Sequence, residues 1–212
     1  NRRTDKWGGH ADARMGFAKA VIASSQQAID TYADRPFLLG YRISPEEIET
    51  PGIRLADSLA FVDMLGDSTV DYVHTSMGSA HRTSLNDKTD HKPILKQLVQ
   101  QLAGRKPLIG VGSVEKPADA EAVLEMGADL VAMGREFIRE PQWVEKIVDG
   151  DEASIRYQIS PSELDELAIP RAMQDYLKGA FYSVMHFTTD PSVAVDYQNE
   201  AAPMEGFEKK MS

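Results

Sequence analysis

Cysteine is absent from all 212 residues. That excludes disulfides, thiolate zinc sites, iron–sulfur clusters and cysteine nucleophiles within the chain. Positive charge is in deficit, with 23 Lys and Arg against 33 Asp and Glu and a formal net charge of −10. Such a balance argues against nucleic acid or an anionic membrane surface as the main partner. No apolar run approaches the roughly 18 residues that span a bilayer, and the first residues carry no signal-peptide pattern. These absences predict a soluble, cytoplasmic protein with neither nucleic-acid nor membrane partners. The chain also begins at Asn1 rather than Met, which reads as a piece of something longer. What is present is 42% hydrophobic residues, enough at this length for a substantial core.

Four short apolar runs are bounded by turn formers: 37–43, 70–74, 107–111 and 129–133. Each has strand length without strict alternation, as expected for strands buried on both faces. Helical spacing fills the intervals. Met15, Ala18, Val21 and Ile22 share a face between Ala11 and about Asp30, and Leu55, Leu59, Val62 and Leu65 repeat in the next segment. Ile94, Leu98 and Leu102 do the same from Pro93 onward. Pro117 suits a first helical turn, and Gly127 suits the end of that helix. A further helix is expected from Phe137 to Val148, with Trp143 and Ile147 inward. Strict alternation of helix and strand predicts an α/β fold with a parallel sheet, doubly wound or a (β/α) barrel. After Gly150 the alternation stops. Residues from Ser162 to about Val184 read as helical, and those from Thr188 onward as an irregular tail.

The run Leu108-Ile109-Gly110-Val111-Gly112-Ser113 and the run Leu130-Val131-Ala132-Met133-Gly134-Arg135 share one pattern. Each strand ends in a glycine followed by a polar residue leading toward a helix. Glycine there lets backbone N–H groups approach an anion, and Arg135 offers a permanent, bidentate charge. Tight strand-to-helix turns would use the same glycines without any ligand. Gly110-Val111-Gly112 lacks the third glycine of a dinucleotide-binding loop. In (β/α) barrels the loops after strands seven and eight commonly hold phosphate.

The run from Gly112-Ser113 through Met133-Gly134-Arg135 to Phe137-Ile138-Arg139-Glu140-Pro141 resembles the phosphate-binding part of the old yellow enzyme family. The opening Asn1-Arg2-Arg3-Thr4-Asp5-Lys6-Trp7-Gly8-Gly9 is similar to that family's signature, and Arg42-Ile43-Ser44-Pro45 falls in register between them. The resemblance implies the C-terminal half of an FMN-binding TIM (β/α)8 barrel, strands five to eight. Residues 1–150 would form that half, 151–187 a C-terminal helical extension and 188–212 an irregular tail. It implies FMN as cofactor, NADH or NADPH as reductant and an electron-poor alkene as substrate. Gly112, Ser113, Gly134 and Arg135 match the FMN phosphate cradle. Arg42 matches the arginine near the flavin pyrimidine end, where a fixed cation stabilises charge that develops on reduction.

The family's substrate-binding His pair and proton-donating Tyr fall upstream of Asn1, so no residue takes their roles, and the chain alone is expected to be inactive. His74, His81 and His91 lack a metal-ligand spacing, and no metal is expected. Glu46-Glu47 reads as a solvated loop charge run. Tyr176, Phe181, Tyr182, Met185 and Phe187 read as packing against the barrel or a subunit partner. His10 stands where the family has a serine helix cap. Two other readings remain: a self-associating half barrel or phosphate-binding module without flavin chemistry, and a phosphosugar-handling TIM-barrel enzyme. A homo-oligomer, or pairing with the missing N-terminal half, would close the open strand edges.

Overall fold

The computed structural model of the chain describes residues 3–179 and 181–188. The chain divides into two compact units. The strand unit comprises Asn1–Val111 and Ala122–Val131, and the cradle unit comprises Gly112–Glu121 and Ala132–Ser212, within the described residues.

The strand unit alternates as its periodicity predicts: α1 (Ala11–Tyr32), β1 (Gly40–Ile43), α2 (Leu55–Gly66), β2 (Tyr72–Thr75), α3 (Ile94–Leu102) and β3 (Leu108–Val111). Helix α4 (Pro117–Glu125) and strand β4 (Leu130–Ala132) follow. The strands lie in the order β1-β2-β3-β4, and β1 pairs with β2, and β2 with β3, in parallel. The same aspartate device starts two of the strands. Asp71, just before β2, accepts from the Leu39 N–H at 2.7 Å, and Asp129, just before β4, accepts from the Leu108 N–H at 2.8 Å. Each carboxylate thereby replaces a ladder bond at the sheet margin and fixes the register of its neighbour.

Helix α3 packs by its apolar stripe. Ile94, Leu95, Leu98 and Leu102 are at most 1% exposed, and their spacing places them on one face. Gly110 lets α4 approach the sheet, because a Cβ there would lie 2.5 Å from Val123 Cγ1. The expected inner face of α1 is narrower than the sequence suggests. Ala18 and Ile22 are buried, but Val21 is 45% exposed. His10 caps α1 without a side-chain hydrogen bond.

In the cradle unit, the helix expected from Phe137 to Val148 is two: α5 (Arg135–Arg139) and α6 (Trp143–Val148). Pro141 lacks an N–H and disfavours helical geometry at Glu140, which takes φ −133°. The segment from Ser162 to Val184 is likewise interrupted. A 3₁₀ turn at Pro161–Leu164 precedes α7 (Arg171–Gly179) and α8 (Tyr182–Met185). Ser160 and Glu163 cap that turn reciprocally, and Pro170 precedes α7. Ile159, Leu164, Leu177 and Met185 form the core here, with Ile138, Phe181 and Phe187 packed around them. Ile159 and Phe187 form a parallel bridge, and the Thr188 N–H donates to the Ile159 carbonyl at 3.0 Å. Residues 189–212, nearly all of the expected tail, lie outside the described residues. Among the described residues, no helix is long and apolar enough to cross a membrane.

Candidate functional site

Strand β3 ends at Val111, and the backbone then turns through two residues of positive φ, Gly112 at +135° and Ser113 at +49°. The first needs glycine, and the second is uncommon for a residue bearing a side chain. Together they turn the chain sharply out of the strand, at the place where the next segment approaches. Arg135 meets this turn from the other segment. Its Nη2 donates to Ser113 Oγ at 2.9 Å. At Gly134, nothing lies within 4 Å of the place a Cβ would occupy. That glycine keeps space open instead of relieving a contact.

The charge of Arg135 is the unusual feature. The side chain is half-buried, and it forms no ion pair with a carboxylate among the described residues. Burial lowers its pKa, opposed by Glu115 and Glu136 at longer range. A guanidinium remains charged regardless, so a half-buried cation here favours an anionic partner. The helix that follows has five residues, too few for its dipole to matter much beside that charge. Backbone N–H groups, open glycine space and a cation without a carboxylate fit a phosphate group.

Behind the cradle lies a cluster that the sequence reading missed. Arg139, wholly buried, donates from Nη2 to Glu115 Oε1 at 2.5 Å and from Nε to Glu136 Oε2 at 2.8 Å. Burial pushes the Glu136 carboxyl up to about 7, against the pull of Arg139. Burial, aided by Arg139 and Arg135, pushes His186 down to about 3, so its imidazole is neutral. Asp119 accepts from the Glu115 and Lys116 N–H groups at 3.0 and 2.8 Å, opening α4. The signal available in sequence was Glu136, three residues before Arg139 and one helical turn from it.

The other expected residue, Arg42, belongs to the strand unit. It projects from β1, exposed, into a cavity of about 350 Å³ that Arg14, Tyr41, Ser44 and Phe61 also line. Glu46 is a correction. It is 6% exposed, not solvated, and accepts from Ser84 Oγ, the Leu85 N–H and Asn86 Nδ2 at 2.9, 2.6 and 3.0 Å. Burial pushes its pKa up, but these donors outweigh that and hold it below the usual range. Glu46 thus pins one loop to another, whereas Glu47 is exposed. His81 and His91 are exposed as well. Among the described residues, no group of three His, Cys, Asp or Glu is placed to hold a metal ion.

Residues 1–154 match the model of the NADH:flavin oxidoreductase / NADH oxidase family. The chain is 36% identical over 173 residues to a probable NADH-dependent flavin oxidoreductase of Bacillus subtilis (strain 168), covering 82% of this chain and 46% of that protein. It is 36% identical over 181 residues to the NADH:acrylate oxidoreductase of Vibrio harveyi, covering 84% of this chain and 18% of that one. With the NADH:fumarate oxidoreductase of Klebsiella pneumoniae (strain 342) it shares 38% identity over 176 residues, 82% of this chain and 19% of that one. The chain therefore spans less than half the length of these relatives. In fold it is similar to the old yellow enzyme homologue of Zymomonas mobilis, with a TM-score of 0.51 at 20% identity, over 71% of this chain and 41% of that one. The α/β architecture with its parallel sheet is thus like that of the old yellow enzyme TIM barrel. The chain belongs to the NADH:flavin oxidoreductase / NADH oxidase family, whose members use FMN with NADH or NADPH as reductant.

Proposed function

We propose that this chain supplies the FMN phosphate site of an NAD(P)H-dependent oxidoreductase that reduces electron-poor alkenes. The observation that carries the reading is Arg135, a half-buried guanidinium resting on Ser113 Oγ with no carboxylate partner among the described residues. Gly112 and Ser113 offer backbone N–H groups from one segment, and Gly134 and Arg135 hold the phosphate from the other. Charge-assisted hydrogen bonds of this kind are roughly twice as strong as neutral ones. They anchor one end of the cofactor and so fix where its reactive ring can sit.

When bound, FMN supplies the hydride chemistry. By resemblance, Arg42 is the fixed cation near the flavin pyrimidine end, and the four strands correspond to strands five to eight of the barrel. Two relatives are named for acrylate and fumarate, which supports a small unsaturated carboxylate as substrate class. No residue of the chain matches the family's carbonyl-binding pair or proton-donating Tyr. The chain by itself therefore holds the phosphate end without turning over substrate, and pairing with the barrel's other half completes the site.

Flavin titration of the full chain, followed by flavin fluorescence, tests the reading. FMN is expected to bind in preference to riboflavin, which lacks only the phosphate, and inorganic phosphate is expected to compete. Equal affinity for the two flavins, with no competition, contradicts it.

A further inference from the structure

The Ser113–Arg135 hydrogen bond ties the two segments of the cradle at their front. A second tie lies behind it. Glu115 follows Ser113 by two residues and Arg139 follows Arg135 by one helical turn, and both side chains are buried. Arg139 bonds Glu115 and Glu136 together, while Trp143 Nε1 donates to the Glu115 carbonyl at 2.7 Å. The loop after β3 is thus held to α5 and α6 through side chain and main chain at once. The C-terminal segment encloses this tie. His186 takes left-handed φ of +53°, its Nε2 lies 3.7 Å from Glu115 Oε1, and the neighbouring Phe187 is anchored by its bridge to Ile159.

We propose that the Glu115–Arg139 pair, enclosed by His186, positions the two segments of the phosphate cradle, which makes residues 155–188 a working part of the cofactor site. The proposal rests on the FMN reading above. A buried ion pair gains little net stability over apolar residues of the same volume. A planar guanidinium shared by two carboxylates does fix direction, and direction is what the cradle needs from α5, since Arg135 must meet Ser113. The neutral His186 ring closes the pair off from water, so the pair acts at low dielectric and stays in one geometry. Glu115, Arg139 and His186 are positioning residues acting through Ser113 and Arg135.

The ratio of FMN to riboflavin affinity in the full chain reads the cradle alone, because a general loss of folding weakens both flavins together. Glu115→Gln is expected to lower that ratio about tenfold. His186→Asn, which tolerates the left-handed backbone, is expected to lower it about threefold. Arg139→Lys is expected to retain more of the preference than Arg139→Met. An unchanged ratio in Glu115→Gln and His186→Asn, both folded by circular dichroism, overturns the proposal while leaving the phosphate reading intact. A wild-type chain without any FMN preference overturns the phosphate reading and this proposal with it.

Discussion

The strand unit is held by apolar surface: Val62, Leu65, Val73, Ile94 and Leu98 are wholly buried, and its ion pairs lie at or near the surface. Arg105, for example, reaches Asp63 and Asp67 across exposed positions, where water and salt screen such pairs. The strand unit buries Glu46 on hydrogen-bond donors, whereas the cradle unit, with an apolar core of its own, buries Glu115, Glu136, Glu140 and Arg139 in ion pairs. Glu140 takes Lys146 Nζ at 2.6 Å and the Arg156 N–H at 3.3 Å. Building a scaffold needs area removed from water. Holding an anion, the role proposed for the second unit, needs charges fixed in direction, and that demands a different kind of interior.

The largest expected effect should break this contrast on the cradle side. Arg139→Met strands two buried carboxylates and should cost about 3–5 kcal/mol, measured by urea denaturation. Val114, Trp143 and the C-terminal cluster should lose protection in hydrogen exchange before the strands do.

A second effect is a hidden pH dependence. Glu136 is pushed up to about 7 from 4.5, so between those values the folded protein holds a proton that the unfolded chain has lost. Stability from this group therefore falls as pH rises from 4.5 to 7. His186 is pushed down to about 3 from 6.5, so there the unfolded chain holds the extra proton. Its contribution falls as pH drops from 6.5 to 3. The two slopes oppose each other between pH 4.5 and 6.5. His186→Asn should expose a loss of about 3 kcal/mol as pH rises across that window, and Glu136→Gln a gain of about 3 kcal/mol. Parallel pH profiles for both variants and the wild type would refute the buried placement of these groups.

On the strand side, Gly110→Ala drives a methyl into Val123, and overpacking of this sort costs about 1–3 kcal/mol. Thermal melting should show it with little change in flavin affinity. The smallest expected effect is a gain. His10→Ser supplies the missing cap of α1 and should add about 1 kcal/mol.

The contrast between the units also explains what could be read from sequence. Strands and helices of the strand unit follow from apolar spacing, as with Ile94, Leu95, Leu98 and Leu102, because burial of a face leaves a period behind. The glycines and Arg135 proposed to hold the phosphate stand out by position, at the ends of consecutive strands. Arg139 and His186 do not. A buried ion pair leaves no period, and His186 meets Glu115 across a long stretch of chain that only the fold brings together. Pro141 was visible, and its power to split the expected helix follows from its missing N–H. Glu46 looked solvated because its donors, Ser84, Leu85 and Asn86, come from a distant loop.

The central claim is that Arg135 binds the phosphate of FMN. Flavin titration of Arg135→Met, with FMN and riboflavin side by side, tests it most directly. A charged hydrogen bond of about 1.5–3 kcal/mol predicts that the FMN preference falls about tenfold or more while riboflavin affinity stays unchanged. An FMN preference equal to that of the wild type would contradict the account.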